Sequence, residues 1–274
     1  MVESFYWQKP FNVINLLIEY AYTQNVQIPR SHPRYISLKT REKLVDFLQK
    51  GILAHSGLIA HGRGEAFDYI IGERTTPQAE KAEKAAAAYI LNSKNPVISV
   101  NGNTAVLAAG EIVHLSKATG AKIEVNMFHW SERRGKLIAA LLKNQGAEKV
   151  LFGREKKIPG IDHARANCTR DGIYSADVVL VPLEDGDRAA ALARMKKVVI
   201  AVDLNPLSRT SQAATVSIVD EVTRAIPMIT HFAKNLKKSR VERDRVLSRF
   251  DNKSNLAGVM KHIKNRLDEL EHFA

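Results

Sequence analysis

The sequence predicts an α/β protein: a Rossmann-like, mostly parallel sheet with helices on both faces, extended by N-terminal and C-terminal helical segments. Two observations indicate this fold class. Short apolar runs alternate along the chain with longer stretches of helical periodicity, which is the pattern of strand–helix–strand units. The run at 176–183 is rich in Val and Leu, as expected of a strand that is buried on both faces of a parallel sheet.

The alternation begins near residue 96 and predicts six strands with helices between them. The predicted strands cover 96–102, 121–128, 149–153, 176–183, 197–204 and 215–220. The predicted connecting helices cover 106–117, 132–144 and 187–195. Because strands that are joined by helices run parallel, we expect right-handed crossovers and a sheet covered on both sides.

The chain is expected to divide into an extension and one domain. Residues 1–28 are predicted to be an N-terminal helical extension, in which Leu16, Leu17 and Tyr20 share one helical face. Residues 29–274 are predicted to form a single α/β domain that includes the C-terminal helices.

Further helices are predicted from their capping signals. One begins at Ser37, which can cap it, and another begins at Pro77, a good first-turn residue after Thr76. The C-terminal stretches 221–249 and 254–272, which have many charged positions, are predicted to be helical.

Composition excludes several classes of protein. The chain has 274 residues, of which 45% are hydrophobic, so it is not an intrinsically disordered chain. Its apolar runs are too short to cross a bilayer, and no membrane partner is expected. The single cysteine, Cys168, has no partner for an internal disulfide and no neighbouring base that would activate it. We therefore expect a structural Cys168 and a cytoplasmic location.

The net charge leaves two classes of function open. With 41 Lys and Arg against 29 Asp and Glu, the formal charge is +12, which attracts polyanions. One class is a nucleotide- or nucleic-acid-binding regulatory protein, and the other is an enzyme whose small ligands carry phosphate. Nucleic acid is the less favoured partner, because the basic residues are not interleaved with aromatic residues.

Polar residues follow the predicted strands at the edge where an open parallel sheet binds its ligands. Asn101, Asn103 and Asn126 follow the first two strands and are candidates for substrate binding. The alternative for Asn101 is that it caps the next helix.

The segment 61–69, HGRGEAFDY, resembles an anion site. Gly62 and Gly64 flank Arg63, so that backbone and guanidinium could both approach a phosphate, and a helix beginning near Glu65 would point its N–H groups there. The alternative is a glycine-rich turn. His61 is a candidate catalytic residue, although a lone histidine is more often structural.

An acidic loop follows the strand at 176–183. Glu184, Asp185 and Asp187 are candidate ligands of Mg²⁺, and Asp185 and Asp187 are also candidate catalytic residues that could bind a substrate ammonium. The alternatives are a neighbouring Arg or Lys as partner, or a helix N-terminus with Asp185 as its cap.

A second polar cluster, DLNPLSRT at 203–210, follows the strand at 197–204. Asp203 and Asn205 could bind a ribose or a base, and Arg209 and Thr210 could bind phosphate. The alternative is a turn built around Pro206.

Six motifs together identify a family. They are SHPRY at 31–35, REKLV at 41–45, GLIAHGRGEAFDYIIGE at 57–73, PVISVNGN at 96–103, VPLEDGDR at 181–188 and DLNPLSRT at 203–210. From about Pro29 to the C-terminal helix, the chain resembles the archaeal 4-phosphopantoate–β-alanine ligase family, also called phosphopantothenate synthetase.

The resemblance implies a homodimeric ligase of coenzyme A biosynthesis with ATP as co-substrate and Mg²⁺ as its metal. The enzyme would join 4-phosphopantoate to β-alanine through an acyl-adenylate and release AMP and diphosphate. Arg34 is a further candidate for substrate binding. The ATP positions that the resemblance implies are Arg41, Arg63, Asp203, Leu204, Asn205, Arg209, Thr210, Glu221 and Val222. At Glu221 the family pattern has Asn, so a backbone contact is expected there.

Overall fold

A computed structural model describes residues 28–271, and the chain divides into two compact units, residues 1–42 and 43–274. In the first unit, the described residues form a turn that leads into a helix. The predicted helix over 12–22 lies outside the described residues. The predicted boundary after residue 28 stays a prediction.

The helices and strands are numbered here in chain order. The helices are α1 (Tyr35–Gln49), α2 (His55–Ile71), α3 (Pro77–Asn92), α4 (Gly102–Thr119), α5 (Glu132–Asn144), α6 (Gly186–Arg194), α7 (Arg209–Ala213), α8 (Val222–Leu236), α9 (Arg240–Ser248) and α10 (Asn252–Glu271). The strands are β1 (Pro96–Val100), β2 (Lys122–Val125), β3 (Val150–Leu151), β4 (Lys156–Lys157), β5 (Asn167–Cys168), β6 (Val178–Pro182), β7 (Val198–Val202) and β8 (Val216–Ile218).

Six strands form one sheet in the order β3-β2-β1-β6-β7-β8, and every neighbouring pair is parallel. The predicted fold class is confirmed. The chain runs outwards from β1 in one direction and then from β6 in the other, which is the order of a doubly wound sheet with a switch point between these two strands. β4 and β5 form a separate antiparallel pair that the sequence patterns did not predict.

Alternate residues of the central strands pack into two apolar layers, one on each face of the sheet. Ile98 and Leu180 belong to the layer that includes buried residues of α3, α4 and α8. Val97 and Val179 belong to the layer that includes buried residues of α6. Burial on both faces explains why these strands are apolar throughout, and it confirms the predicted helices on both sides.

Helix boundaries follow local capping. α3 begins at Pro77 as predicted, and Thr76 caps it, since its Oγ1 accepts the N–H of Ala79 at 3.1 Å. The prediction that Ser37 caps α1 is wrong: the helix begins at Tyr35, whose N–H donates to the carbonyl of His32 at 2.9 Å. The preceding turn therefore starts the helix two residues earlier.

The predicted helical stretch 221–249 contains two helices, α8 and α9. Ser239 accepts the N–H of Glu242 at 3.2 Å and thereby starts α9, while the Arg243 guanidinium donates to the carbonyls of Leu236 and Lys237 at the end of α8. Side-chain caps thus separate the two helices. Within residues 28–271, none of the helices has the length and hydropathy that a membrane crossing needs.

Candidate active site

The segment around Arg63 is helical and does not form a loop. Gly62 and Gly64 lie inside α2, which begins at His55 and not near Glu65. Because N–H groups within a helix donate to carbonyls four residues earlier, the predicted backbone cradle for an anion is wrong. His61 lies on the same helix and is half-buried.

Arg63 nevertheless lies near the polar cluster after β7. Its side chain is exposed. Burial raises the pKa of Asp203, and the positive charge of Arg63 opposes this shift. Leu204 is buried, and its Cδ1 lies 3.5 Å from the position a Cβ would take on Gly64. The sheet edge thus brings two of the predicted ATP motifs together.

The loop at 203–210 is held by its own side chains. Asp203 accepts the N–H of Asn205 at 2.9 Å and the hydroxyl of Ser208 at 2.5 Å. Asn205 Oδ1 accepts the N–H of Leu207 at 2.9 Å. Arg209 is exposed at the first residue of α7. The loop is therefore a preformed turn beside an exposed guanidinium.

The acidic loop contacts this turn directly. The Thr210 hydroxyl donates to the carbonyl of Glu184 at 2.8 Å. A Cβ on Gly186 would overlap the Cβ of Arg209 and lie 3.1 Å from the Thr210 nitrogen. Only glycine permits this approach of the start of α6 to the start of α7.

The carboxylates of the acidic loop have cationic side chains as partners. The side chain of Glu184 is buried between Arg165, 3.2 Å away, and Arg188, which is fully buried and forms a short ion pair with it. Asp185 accepts from Nε of Arg165 at 2.9 Å. The alternative of an Arg partner therefore describes both Glu184 and Asp185.

Asp187 contacts a histidine. Its Oδ2 lies 2.7 Å from Nε2 of His163, and this hydrogen bond lowers the pKa of Asp187. Within the part of the chain that the structure describes, no three His, Cys, Asp or Glu side chains cluster as metal ligands. With Arg165, Arg188 and His163 as their partners, the three carboxylates do not fit a dedicated protein site for Mg²⁺.

The asparagines after β1 and β2 hold the strand ends together. Asn101 caps α4 by accepting the N–H of Thr104 at 3.0 Å, and it donates to the carbonyl of Leu183 at 2.9 Å across the switch point. Asn103 donates to the carbonyl of Gly57 at 2.8 Å. The capping alternative for Asn101 is therefore present in the structure.

Asn126 forms a hydrogen bond with the chain segment that contains Arg165. Its amide donates to the carbonyl of Asn167 at 2.8 Å. The buried carboxylate of Glu124 accepts the N–H groups of Thr169 at 2.7 Å and Ile173 at 2.6 Å. Sequence reasoning missed Arg165, and the signal that could have found it is the need of buried carboxylates for a cation.

At the end of β8, Glu221 caps α8 by accepting the N–H of Thr223 at 2.6 Å, while Val222 is buried. The Glu221 carboxylate is thus occupied in capping its own helix. This agrees with the expectation that any contact of residue 221 with ATP is made by its backbone. Next to it, the Arg224 guanidinium joins Asp220, at 2.6 Å, to Asp68, at 2.5 Å. The edge beside β8 therefore carries two linked ion pairs.

Three other predicted residues are placed as follows. Arg34 and Arg41 are exposed and belong to the first unit, in the turn and in α1 respectively. Cys168 is buried and unpaired, and burial raises the pKa of its thiol to about 12. A thiol with such a pKa is not a nucleophile at neutral pH, in agreement with the structural role expected for it.

These features define a doubly wound α/β protein whose candidate ligand crevice is the carboxyl edge of the sheet, around the β1–β6 switch point. The crevice holds exposed arginines on its β7 side and an arginine-neutralised acidic loop at its centre. The chain belongs to the phosphopantothenate/pantothenate synthetase family, whose sequence model matches residues 78–266. The resemblance inferred from the motifs is confirmed.

Curated relatives cover most of the chain. A 4-phosphopantoate–β-alanine ligase of Thermococcus onnurineus (strain NA1) is 50% identical over 248 residues, which are 89% of this chain and 95% of that protein. A protein of the same name from Methanospirillum hungatei JF-1 is 56% identical over 214 residues, 78% of this chain and 88% of that protein. Another from Methanosarcina mazei is 50% identical over 241 residues, 88% of this chain and 95% of that protein.

Proposed function

We propose that this chain is an ATP-dependent 4-phosphopantoate–β-alanine ligase of coenzyme A biosynthesis. The observation that carries the proposal is the 50% identity, over 89% of the chain, to a protein of that name. Family membership gives no support to the alternative of a nucleic-acid-binding regulatory protein, for which the net charge was the main indication.

The proposed reaction has two steps. A carboxylate oxygen of 4-phosphopantoate attacks the α-phosphorus of ATP, the bond to the β-phosphate breaks, and diphosphate leaves. The β-alanine amine then attacks the acyl carbon of the adenylate, the bond to AMP breaks, and the amine loses a proton. The products are 4-phosphopantothenate, AMP and diphosphate.

This reaction requires positive charge in the site, because a carboxylate, a substrate phosphate and a triphosphate must come together and repel one another. Exposed arginines such as Arg63 and Arg209 supply permanent, planar positive charge at the β7 side of the crevice. Pairing of Glu184 and Asp185 with Arg165 removes the repulsion that bare carboxylates would exert on these anions. Positioning then carries most of the remaining acceleration.

We assign ATP to the β7–β8 side of the crevice, on Arg63, Asp203, Asn205, Arg209 and the backbone at Glu221. The preformed turn at 203–210 and its contact with the acidic loop support this assignment. Arg41 stays a prediction from the resemblance. Mg²⁺ is proposed to arrive with ATP as the counter-ion of its phosphates, since magnesium usually keeps waters and binds phosphate oxygens.

The assembly and location are proposed on the same resemblance. We expect a homodimer in the cytoplasm. Light scattering coupled to size-exclusion chromatography would give a mass near twice the 30.5 kDa of the chain, whereas a mass near that of one chain would contradict the dimer.

One assay tests the proposed function. The purified protein is incubated with ATP, Mg²⁺, 4-phosphopantoate and β-alanine, and the products are identified by mass spectrometry. We expect 4-phosphopantothenate and AMP in equal amounts, and neither when β-alanine or the acid is left out. Formation of ADP instead of AMP would indicate a different ligase or a kinase, and no condensation product would contradict the proposal.

A further inference from the structure

A pocket of about 570 Å³ opens beside the crevice, on the β2–β3 side of the sheet. Trp130, which follows β2, and Arg154, which follows β3, line one part of it. The other part is the segment 157–167, which includes the hairpin loop between β4 and β5. The pocket is thus on the opposite half of the sheet from the turn at 203–210.

Two cations line this pocket without a carboxylate partner. Within residues 28–271, neither Arg154 nor Lys157 takes part in an ion pair. The Arg154 guanidinium lies over the Trp130 ring, 4.8 Å from its centroid, which holds it at the pocket wall. Asp162 also lines the pocket and is exposed, so that these three side chains sum to one positive charge.

The remaining wall is apolar. Ile158 and Ile161 are buried, and Pro159 and Gly160 lie between them in sequence. The indole N–H of Trp130 has no hydrogen-bond partner within the described residues, which is uncommon for a buried donor. The pocket therefore combines an apolar wall, unpaired cations and an unsatisfied donor.

His163 joins the pocket to the centre of the crevice. It lines the pocket and lies 2.7 Å from Asp187 in the first turn of α6. The neighbouring Gly186 contacts Arg209 and Thr210 of the proposed ATP side. A ligand that extends from the pocket along His163 would therefore reach the point where ATP phosphates are proposed to lie.

We propose that this pocket binds 4-phosphopantoate, with the phosphate at Arg154 and Lys157 and the two methyl groups against Ile158 and Ile161. The proposal rests on the proposed function. The carboxylate end of the acid then points along His163 to the α-phosphorus of ATP. The two substrates thus occupy opposite halves of the sheet and react at the switch point.

The other substrates fit the pocket less well. β-Alanine carries neither a phosphate nor a branched apolar group, so it leaves the cations and the apolar wall unused. ATP has its own preformed turn on the other half of the sheet. Only the phosphorylated acid matches both features of the pocket, because it has a phosphate at one end and a dimethyl carbon in its chain.

The test compares Arg154→Gln and Lys157→Gln with Lys149→Gln as a matched control. Lys149 is an exposed cation directly before β3, whereas Arg154 follows the same strand. We expect each pocket variant to raise the KM for 4-phosphopantoate about tenfold, which corresponds to ~1.4 kcal/mol and to the loss of one charged hydrogen bond. The KM values for ATP and β-alanine should stay within twofold of wild type.

A second readout isolates the phosphate. The ratio of kcat/KM for 4-phosphopantoate to that for unphosphorylated pantoate should fall about tenfold in each pocket variant and stay constant in the control. An active wild type whose pocket variants keep both the KM and this ratio would overturn the inference. A rise confined to the KM for ATP or β-alanine would also overturn it. An inactive wild type would instead contradict the proposed function.

Discussion

The start of α6 lies against the start of α7 at Gly186 and Arg209, so closely that a Cβ on Gly186 would overlap the Cβ of Arg209 and approach its carbonyl carbon to 3.0 Å. This contact joins the acidic loop to the turn at 203–210. The central region of the crevice is therefore assembled by backbone packing as well as by ion pairs.

Gly186→Ala is expected to destabilise the protein by about 1–3 kcal/mol, because the backbone of Arg209 and Thr210 must move to make room. It should also raise the KM for ATP, since it displaces α7. Gly62→Ala is the control: its Cβ would meet no atom within 4 Å, and inside α2 alanine should stabilise by up to about 1 kcal/mol. Urea unfolding measures the free energy of unfolding of both variants, and steady-state kinetics measure their KM for ATP. Equal effects of the two substitutions would contradict the packing argument.

Arg63→Lys is expected to raise the KM for ATP about tenfold while leaving the free energy of unfolding nearly unchanged. Lysine keeps the charge but loses the planar fork that binds phosphate at two points. Arg240→Lys, on the exposed face of α9, serves as the control and should be neutral. Normal ATP kinetics in the Arg63 variant would remove this residue from the ATP site.

Arg165→Met is expected to lower the free energy of unfolding by about 3 kcal/mol. The substitution leaves Asp185 without its guanidinium and deprives the buried Glu184 of one of its two cations. Arg170→Met, an exposed arginine of the same segment, should change stability by less than about 0.5 kcal/mol. If the two variants unfold at the same urea concentration, Arg165 does not hold the acidic loop.

Glu83 predicts a pH-dependent stability. It is fully buried in α3, where burial and the neighbouring Asp220 raise its pKa to about 9. A folded-state pKa above the ordinary 4.5 means that its contribution is complete below pH 4.5 and is lost as the pH rises through 9. Stability should therefore fall between pH 6 and 9.

Glu83→Gln keeps a donor toward Asp220 without a titratable proton, so it should flatten this part of the profile. Glu148→Gln, an exposed glutamate shortly before β3 that does not act on Glu83, should leave the profile as in wild type. Urea unfolding at pH 6 and 9 checks both variants. An unchanged slope in the Glu83 variant would assign the pH dependence to another group.

The sheet could be predicted because its strands are continuous apolar runs, and α5 has the predicted bounds because Ser131 and a regular apolar spacing define it. The glycines at 62 and 64 wrongly indicated a loop around Arg63, because a helix tolerates glycine when its other residues pack against the core. The structure of the segment 154–175 could not be predicted from hydrophobic periodicity. Its strands are short and depend on contacts between distant residues such as Glu124 and Thr169. Arg165, which pairs with Glu184 and Asp185, and His163, which contacts Asp187, both lie in that segment.

The transfer of an oxygen isotope tests the central claim most directly. The protein is incubated with ATP, Mg²⁺, β-alanine and 4-phosphopantoate whose carboxylate is labelled with ¹⁸O. The mass of the nucleotide product is then measured by mass spectrometry. Attack of the carboxylate on the α-phosphorus predicts AMP that contains one ¹⁸O atom. Unlabelled AMP, or label that appears in inorganic phosphate together with ADP, would contradict an acyl-adenylate formed in this crevice.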